Sequence, residues 1–323
     1  MNIPLLLKLR GMKGAFVPMV ELGDDLDQLR VDLEALEAFG YLLERHPYYG
    51  VAYRGPAERL CPDQIEFGLA TKRVGRRIAV WSRVSSTNDL AARAASSPAN
   101  DGLVVLAEEQ WAGRGRRGRS WSAPPRSSLL LSVLLYPPET LAATPWLTAL
   151  GAVAAAEVVA EAAGVDARIK WPNDVRVDGK KVAGILVERG PAAVVGIGIN
   201  VNVPSDGFPP ELRATATSLQ VLNGAPLDRS ELVRTLLRRL DYWYDLGLAE
   251  GSATLNLPWR ARSEHLGRTV EVTTGLGALV GRLDDLDFDR GAMLTCADGT
   301  PHRIELRDLL SLTPVAPQEA ASD

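Results

Sequence analysis

Gln110-Trp-Ala-Gly113-Arg114-Gly115-Arg116-Arg117-Gly118-Arg119-Ser-Trp121 lies between an apolar strand and Ser122-Ala-Pro124-Pro125. Read literally, Gly113-x-Gly115-x-x-Gly118 is the dinucleotide fingerprint of a doubly wound sheet. That motif must open a helix and be followed by an acidic residue about 20 positions on. Pro124 and Pro125 forbid the helix, so the fingerprint is rejected. What remains is four guanidiniums on a backbone loosened by glycine. Arginine holds its charge at any working pH and offers forked donors matched to carboxylate and phosphate oxygens. The loop reads as an oxyanion clamp, in a chain whose net charge is −4.

Around the loop, strands and helices alternate. Arg77 to Trp81, Leu103 to Glu108, Ser127 to Tyr136, Arg168 to Trp171, Val175 to Val177, Lys181 to Glu188 and Ala193 to Asn200 are expected strands. Ser85-Ser86-Thr87-Asn88-Asp89 offers N-cap residues to an alanine-rich helix ending near Ser96. Thr144 before Pro145 reads as a cap followed by a first-turn proline, and Gly164 as the stop. Asp178-Gly179 is a two-residue hairpin turn, and Asp228-x-x-Glu231 a capping box for a helix from Ser230 to about Leu246. After Trp259 come four short strands, Val270 to Thr273, Leu279 to Asp284, Met293 to Cys296 and His302 to Leu306, expected to form a small β-barrel. The Ala-, Pro- and acid-rich tail Thr313 to Asp323 is expected to be disordered.

The chain has 323 residues, 46% hydrophobic and 24% charged, enough for two or three soluble domains. Cys61 and Cys296 stand 235 positions apart with no CxxC, which argues against a disulfide framework and a thiolate metal site and suits a cytoplasmic location. The apolar Ile3 to Leu7 is too short for a signal or a span, so no membrane role is expected. Only His46, His265 and His302 occur, all away from the unusual segments, which argues against histidine acid–base chemistry. Arg, Lys, Asp and Asn are left, side chains that work by positioning charge and metal ions, as in nucleotidyl transfer.

Four clusters in this order resemble the biotin protein ligases: Ser86-Thr87-Asn88; the loop from Gln110 to Trp121; Lys170-Trp-Pro-Asn173-Asp174; and Lys181-Val-Ala-Gly184-Ile-Leu-Val-Glu188 with Gly196-Ile-Gly198-Ile-Asn200. The resemblance runs from about Ser82 to the C-terminal strands. It implies a mixed-sheet domain of the biotin/lipoate ligase type at 76–262 and an SH3-like barrel at 266–315, which with a winged helix-turn-helix-like domain at 1–68, read from three short helices and a hairpin, makes an α+β chain. It also implies two steps. Biotin and ATP give biotinyl-5′-AMP and pyrophosphate, then a lysine of a carrier protein takes the biotin, the carrier expected being the biotin carboxyl carrier of acetyl-CoA carboxylase. A lipoate or octanoate ligase is the alternative enzyme.

By the same resemblance Ser86, Thr87, Asn88, Gln110, Arg114, Gly115, Arg116, Lys181 and Gly184 hold biotin. Arg116, Arg117, Arg119, Trp121, Lys170, Asn173 and Asn200 hold ATP and the adenylate. Asn200 and Asp174 meet Mg²⁺, and Lys181 and Arg116 are the catalytic pair. Trp121 is either core filler or, as the match implies, the wall beside adenine. Plain helix capping is the competing reading of the serines. The loop's glycines imply that it is disordered without ligand and closes over the adenylate. A homodimer edge on the sheet is a further implication.

Residues 1 to 68 carry seven basic and eleven acidic side chains. Leu5 to Leu9, Phe16 to Leu22 and the Leu26 to Leu36 repeat suggest three helices, the last stopped by Gly40; a hairpin follows around His46-Pro47-Tyr48-Tyr49-Gly50. In long family members such a domain makes the ligase a repressor. Here the would-be recognition helix and its lead-in carry Glu21, Asp24, Asp25, Asp27, Asp32, Glu34 and Glu37 against Arg30. That face repels phosphates, so operator binding is not expected, though Arg45 and Arg54 leave room for a weak wing contact.

Overall fold

The computed structural model describes residues 1–315. Its N-terminal unit holds α1 (Ile3–Gly11), α2 (Met19–Leu22), α3 (Leu26–Phe39) and the hairpin β1 (Leu42–His46) and β2 (Gly50–Gly55). Asp25 caps α3 by accepting from the Asp27 and Gln28 N–H groups, and Leu29, Leu33 and Leu36 form its buried stripe. The helix expected from Phe16 starts only at Met19. Pro18 supplies no N–H, and Val17 before it is an extended partner of Val51. Three helices and a hairpin form the winged-helix arrangement around a core of their own.

A short helix that sequence reading passed over, α4 (Pro62–Glu66), leads into the central sheet. That sheet comprises β3 (Arg77–Trp81), β4 (Leu103–Ala107), β5 (Ser128–Leu135), β6 (Arg168–Lys170), β7 (Asp174–Val177), β8 (Lys180–Arg189) and β9 (Ala193–Asn200). Their order is β3-β4-β5-β9-β8-β7-β6. The β3–β4 pair is parallel and the other neighbours are antiparallel. Positive φ at both Asp178 (48°) and Gly179 (74°) gives the expected turn between β7 and β8.

On one face lies α6 (Thr144–Ala163), long and apolar enough to cross a membrane by composition but here 72% buried along that stretch as the core helix. Its N-cap is Ala143, not Thr144, whose hydroxyl makes no cap bond, so Thr144 is already helical. The opposite face carries α5 (Thr87–Ala94) over one half and an open cleft over the other. After α7 (Leu219–Asn223), α8 (Arg229–Glu250) packs on α6. Asp228 accepts from the Glu231 N–H as expected, but the Glu231 carboxylate turns to Arg10 and Arg234.

The short α9 (Asn256–Arg262) leads to five antiparallel strands, one more than expected: β10 (Thr269–Thr274), β11 (Gly277–Asp287), β12 (Gly291–Thr295), β13 (Pro301–Ile304) and β14 (Ser311–Pro314), in the order β13-β12-β11-β10-β14. The expected disordered tail therefore begins inside a strand at Thr313 and Pro314. Residues 316–323 lie outside the described residues. Val270, Leu283 and Leu294 of this small β domain join the same apolar core as α6 and the sheet.

Candidate active site

On the central strands, residues alternate between the core and the cleft. Leu131, Ile185, Ile197 and Ile199 turn toward α6, which leaves Ser132, Gly184, Gly196 and Gly198 on the cleft face. The glycines set the shape of the floor. Gly184 and Gly198 face each other across β8 and β9, and the Trp121 indole lies on them: a Cβ at Gly198 would come within 2.6 Å of Trp121 Cε2. A Cβ at Gly196 would come within 2.3 Å of Asn88 Oδ1. No side chain larger than hydrogen fits either position as the neighbours now stand.

The cleft measures about 420 Å³ and gathers all the expected site residues from the four clusters except one. Ser86, Thr87, Asn88, Gln110, Arg114 and Gly115 line one end. Lys170, Asn173, Asp174, Lys181 and Asn200 line the other, with Arg116, Arg119, Trp121 and Gly184 also on the wall. The exception is Arg117. Its φ is +57° and it donates to the Leu310 carbonyl at 2.9 Å in the C-terminal β domain, so it faces a second cavity on the outer side of the loop.

At the first end, capping does not account for the serine. Ser86 holds the N-cap position of α5 yet makes no side-chain cap bond. Gln110 Oε1 accepts from the Thr87 N–H at 2.7 Å. Ser132, buried and absent from the sequence candidates, lies 2.5 Å from Asn88 Oδ1 and 2.7 Å from Thr87 Oγ1. Asn88 Nδ2 donates to Glu188 at 2.8 Å, so its oxygen is the end that takes the single Ser132 proton. A serine inside an otherwise apolar strand is the sequence signal that could have marked it, and the alternation of β5 places it on the cleft face.

The loop is a folded hairpin rather than an open coil. Gly115 N–H donates to Arg119 O at 2.7 Å and Trp121 N–H to Gly113 O at 2.9 Å. Arg114 is held by Asp89 (2.7 Å) and Glu188 (3.0 Å), hydrogen bonds that raise its pKa above the usual arginine value. Arg116 is the opposite case. Burial, then the charge of Arg117, pull its pKa below the usual value while Asp174 works against them. It is a cation short of counter-charge, pointed into a cleft.

At the far end Lys181 Nζ pairs with Asp174 at 2.7 Å and stands 5.4 Å above the Trp121 ring. The Lys181 backbone is clamped by residues 215–217: its N–H donates to the Thr215 carbonyl, and the Thr217 N–H donates to its carbonyl. Asn173 donates to the Ile185 carbonyl at 3.1 Å, and Arg116 approaches Asn173 Oδ1 at 3.5 Å. Among the described residues, six cationic side chains line the cleft against one carboxylate, Asp174.

Residues 80–203 match the family model of the biotin/lipoate A/B protein ligases. The bifunctional ligase/repressor BirA of Bacillus spizizenii is 34% identical over 84% of this chain and 82% of its own length. The biotin–[acetyl-CoA-carboxylase] ligase of Mycobacterium tuberculosis is 36% identical over 79% of this chain and 98% of its own. The chain belongs to the biotin protein ligases. Among solved structures, the biotin protein ligase of Aquifex aeolicus in complex with biotin and ATP superposes with a TM-score of 0.66 at 28% identity, covering 74% of this chain and all of that one.

In this ligase a buried ion pair ties the base of the loop to α8 and to the linker that follows the N-terminal unit. Glu108, two residues before Gln110, meets Arg229 of α8 at 2.6 Å, and its other oxygen accepts from the Leu60 N–H at 2.6 Å. Gln64 links Tyr41 to Asp228, and Arg10 of α1 reaches Glu231 at 3.1 Å. Apart from Asp228 and Glu231, expected only as a capping pair, these residues did not stand out in the sequence, because partners distant along the chain carry no local signal.

Proposed function

We propose that the ligase runs both steps of biotin attachment in this one cleft, and that its two ends divide the work. It is an ATP-dependent enzyme that makes biotinyl-5′-AMP and passes the biotin to a lysine of a carboxyl carrier protein. The Ser86, Thr87, Asn88 and Gln110 end suits the ureido ring, whose N–H and carbonyl groups need paired acceptors and donors. Trp121 on its glycine floor suits the adenine. Between them the biotin carboxylate must meet the α-phosphate, two anions that repel until cations stand between them.

Lys181 and Arg116 supply those cations. Lys181 is held ready by Asp174, and Arg116 lines the cleft with no carboxylate paired to it among the described residues. The carboxylate oxygen attacks the α-phosphorus, the bond to the bridging oxygen breaks, and its electron pair leaves with pyrophosphate. Arg114, Arg119, Lys170 and Asn173 bind the anions around that centre, and Arg117 closes the loop from outside. Mg²⁺ fits the donors present: Asn200 commits its amide nitrogen to the Thr217 carbonyl at 3.0 Å, which leaves its oxygen as acceptor in the cleft that the Asp174 carboxylate also lines. A few protein oxygens plus phosphates are what this ion takes, and it would neutralise triphosphate charge.

The observation that carries this reading is the convergence of four separated sequence clusters on one cleft rich in cations. The carrier expected is that of acetyl-CoA carboxylase, in a reducing cytoplasm that suits the free Cys61 and Cys296. A homodimer through the sheet remains part of the proposal. Mass spectrometry of a carrier domain incubated with enzyme, biotin and ATP tests the whole; an unmodified carrier mass overturns it. Pyrophosphate exchange with biotin and then lipoate separates the two cofactor classes.

The N-terminal unit is read as a winged helix without an operator. The outer face of α3 exposes Asp25, Asp27 and Glu34, and Arg30 there pairs with Asp27 at 3.6 Å. The two wing cations are also paired, Arg45 with Glu37 at 2.6 Å and Arg54 with Glu44 at 2.5 Å. Phosphates would have to displace these carboxylates.

A further inference from the structure

Arg176 has no place in the four clusters, yet the fold brings it into the cleft. Val175 and Val177 of β7 are buried on the core side, so Asp174 and Arg176 share the opposite face. The Arg176 Cα is paired with that of Lys181 across the ladder, and Lys170 is paired with Asp174. Arg176 thus extends the cationic wall made by Lys170 and Lys181.

Its guanidinium is largely uncommitted. Among the described residues the side chain, 22% exposed, makes one ion pair, a long 3.4 Å contact from Nη1 to Glu264, and its buried Nε has no hydrogen-bond partner. Glu264 Oε2 is likewise buried without a partner. Glu264 is fixed by its own backbone, which donates to the Ile169 carbonyl at 2.9 Å on β6. A five-donor fork held by one carboxylate has donors to give to a phosphate oxygen.

We propose that Arg176 binds the β- and γ-phosphates of ATP, and hence the pyrophosphate leaving group, with Glu264 as the positioning residue that aims its guanidinium. This rests on the reading of the cleft given above, in which Lys181 and Arg116 serve the carboxylate and α-phosphate. In the adenylation step the electron pair of the broken phosphorus–oxygen bond ends on pyrophosphate, which gains charge as it leaves. Arg176 stabilises that charge. The transfer step involves no pyrophosphate and is indifferent to Arg176.

The full-length enzyme is compared with Arg176→Met, Arg176→Lys and Glu264→Gln. Arg176→Met raises the KM for ATP and for pyrophosphate in the exchange assay roughly ten- to a hundredfold, the loss of a charge-assisted contact. Biotin affinity measured without ATP, and biotin transfer from supplied biotinyl-5′-AMP, stay within about twofold. Arg176→Lys recovers part of the loss, and Glu264→Gln falls between. An unchanged KM for pyrophosphate, or an equal loss in the transfer step, overturns the assignment. Calorimetric titration with pyrophosphate needs no turnover: it must show weaker binding to Arg176→Met even if wild-type enzyme fails to exchange with biotin, a failure that would strike the functional reading instead.

Discussion

Lys181, Gly196 and His265 show how much single positions decide here. Lys181→Ala removes the ammonium proposed to face both reacting anions, and pyrophosphate exchange is expected to fall about a hundredfold, roughly 3 kcal/mol of transition-state stabilisation. A wild-type exchange rate contradicts its role. Gly196→Ala drives a methyl group against Asn88 Oδ1, which must leave Ser132 or Glu188. Biotin affinity measured by calorimetry should drop at least about tenfold, with far-UV circular dichroism unchanged.

His265, fully buried at the entry to the C-terminal β domain, titrates far from its ordinary value. Burial above all, then the nearby Lys170 and Arg268, lower its pKa from 6.5 to about 4. The unfolded chain takes up the proton first as pH falls, so stability present at pH 7 is lost between about 6.5 and 4. The loss amounts to about 3 kcal/mol across that window. Urea unfolding as a function of pH reads it directly, and a His265→Asn variant should show a flatter profile.

At the scale of elements, the arginine hairpin is tied at its base and at its tip by different partners. Arg114 anchors the base to Asp89 and Glu188, and Arg117 ties the tip to Leu310. Arg116 lines the cleft between those anchors. Arg116→Gly should leave the hairpin's anchors intact while removing its hold on the adenylate, so biotinyl-5′-AMP escapes faster and labels lysines of bystander proteins. Slower release, followed by quenched-flow or by labelling of added albumin, is the outcome that contradicts a closing loop. The folded hairpin also explains why an expectation of disorder was natural from composition: glycine content reports the freedom of an isolated chain, not the three tethers supplied by α5, β8 and the β domain.

For the whole molecule, the Glu108–Arg229 pair joins linker, loop base and α8 at a point where both side chains are nearly dry. Arg229→Met leaves Glu108 buried and uncompensated, which costs about 3 to 5 kcal/mol and should lower the thermal midpoint sharply. An unchanged midpoint shows that water reaches the pair. The N-terminal unit, attached through that joint, presents an acidic face outward. A gel shift with the gene's own upstream DNA, with and without biotinyl-5′-AMP, is expected to show no retardation, and a salt-sensitive complex at submicromolar enzyme would reverse that reading.

The sequence alone determined the motif order, the strand and helix alternation around it, and the chemistry of the cleft, because each of those lives in residues a few positions apart with a fixed period or turn chemistry. It also carried the acidity of α3. Tertiary structure alone decided which way each side chain points. It turned Arg117 out and Arg176 in, placed Ser132 beneath Asn88 and Thr87, made β14 a fifth strand, and set Glu108 on Arg229. Such partners are chosen by sheet register and burial, and those follow from packing the whole chain at once.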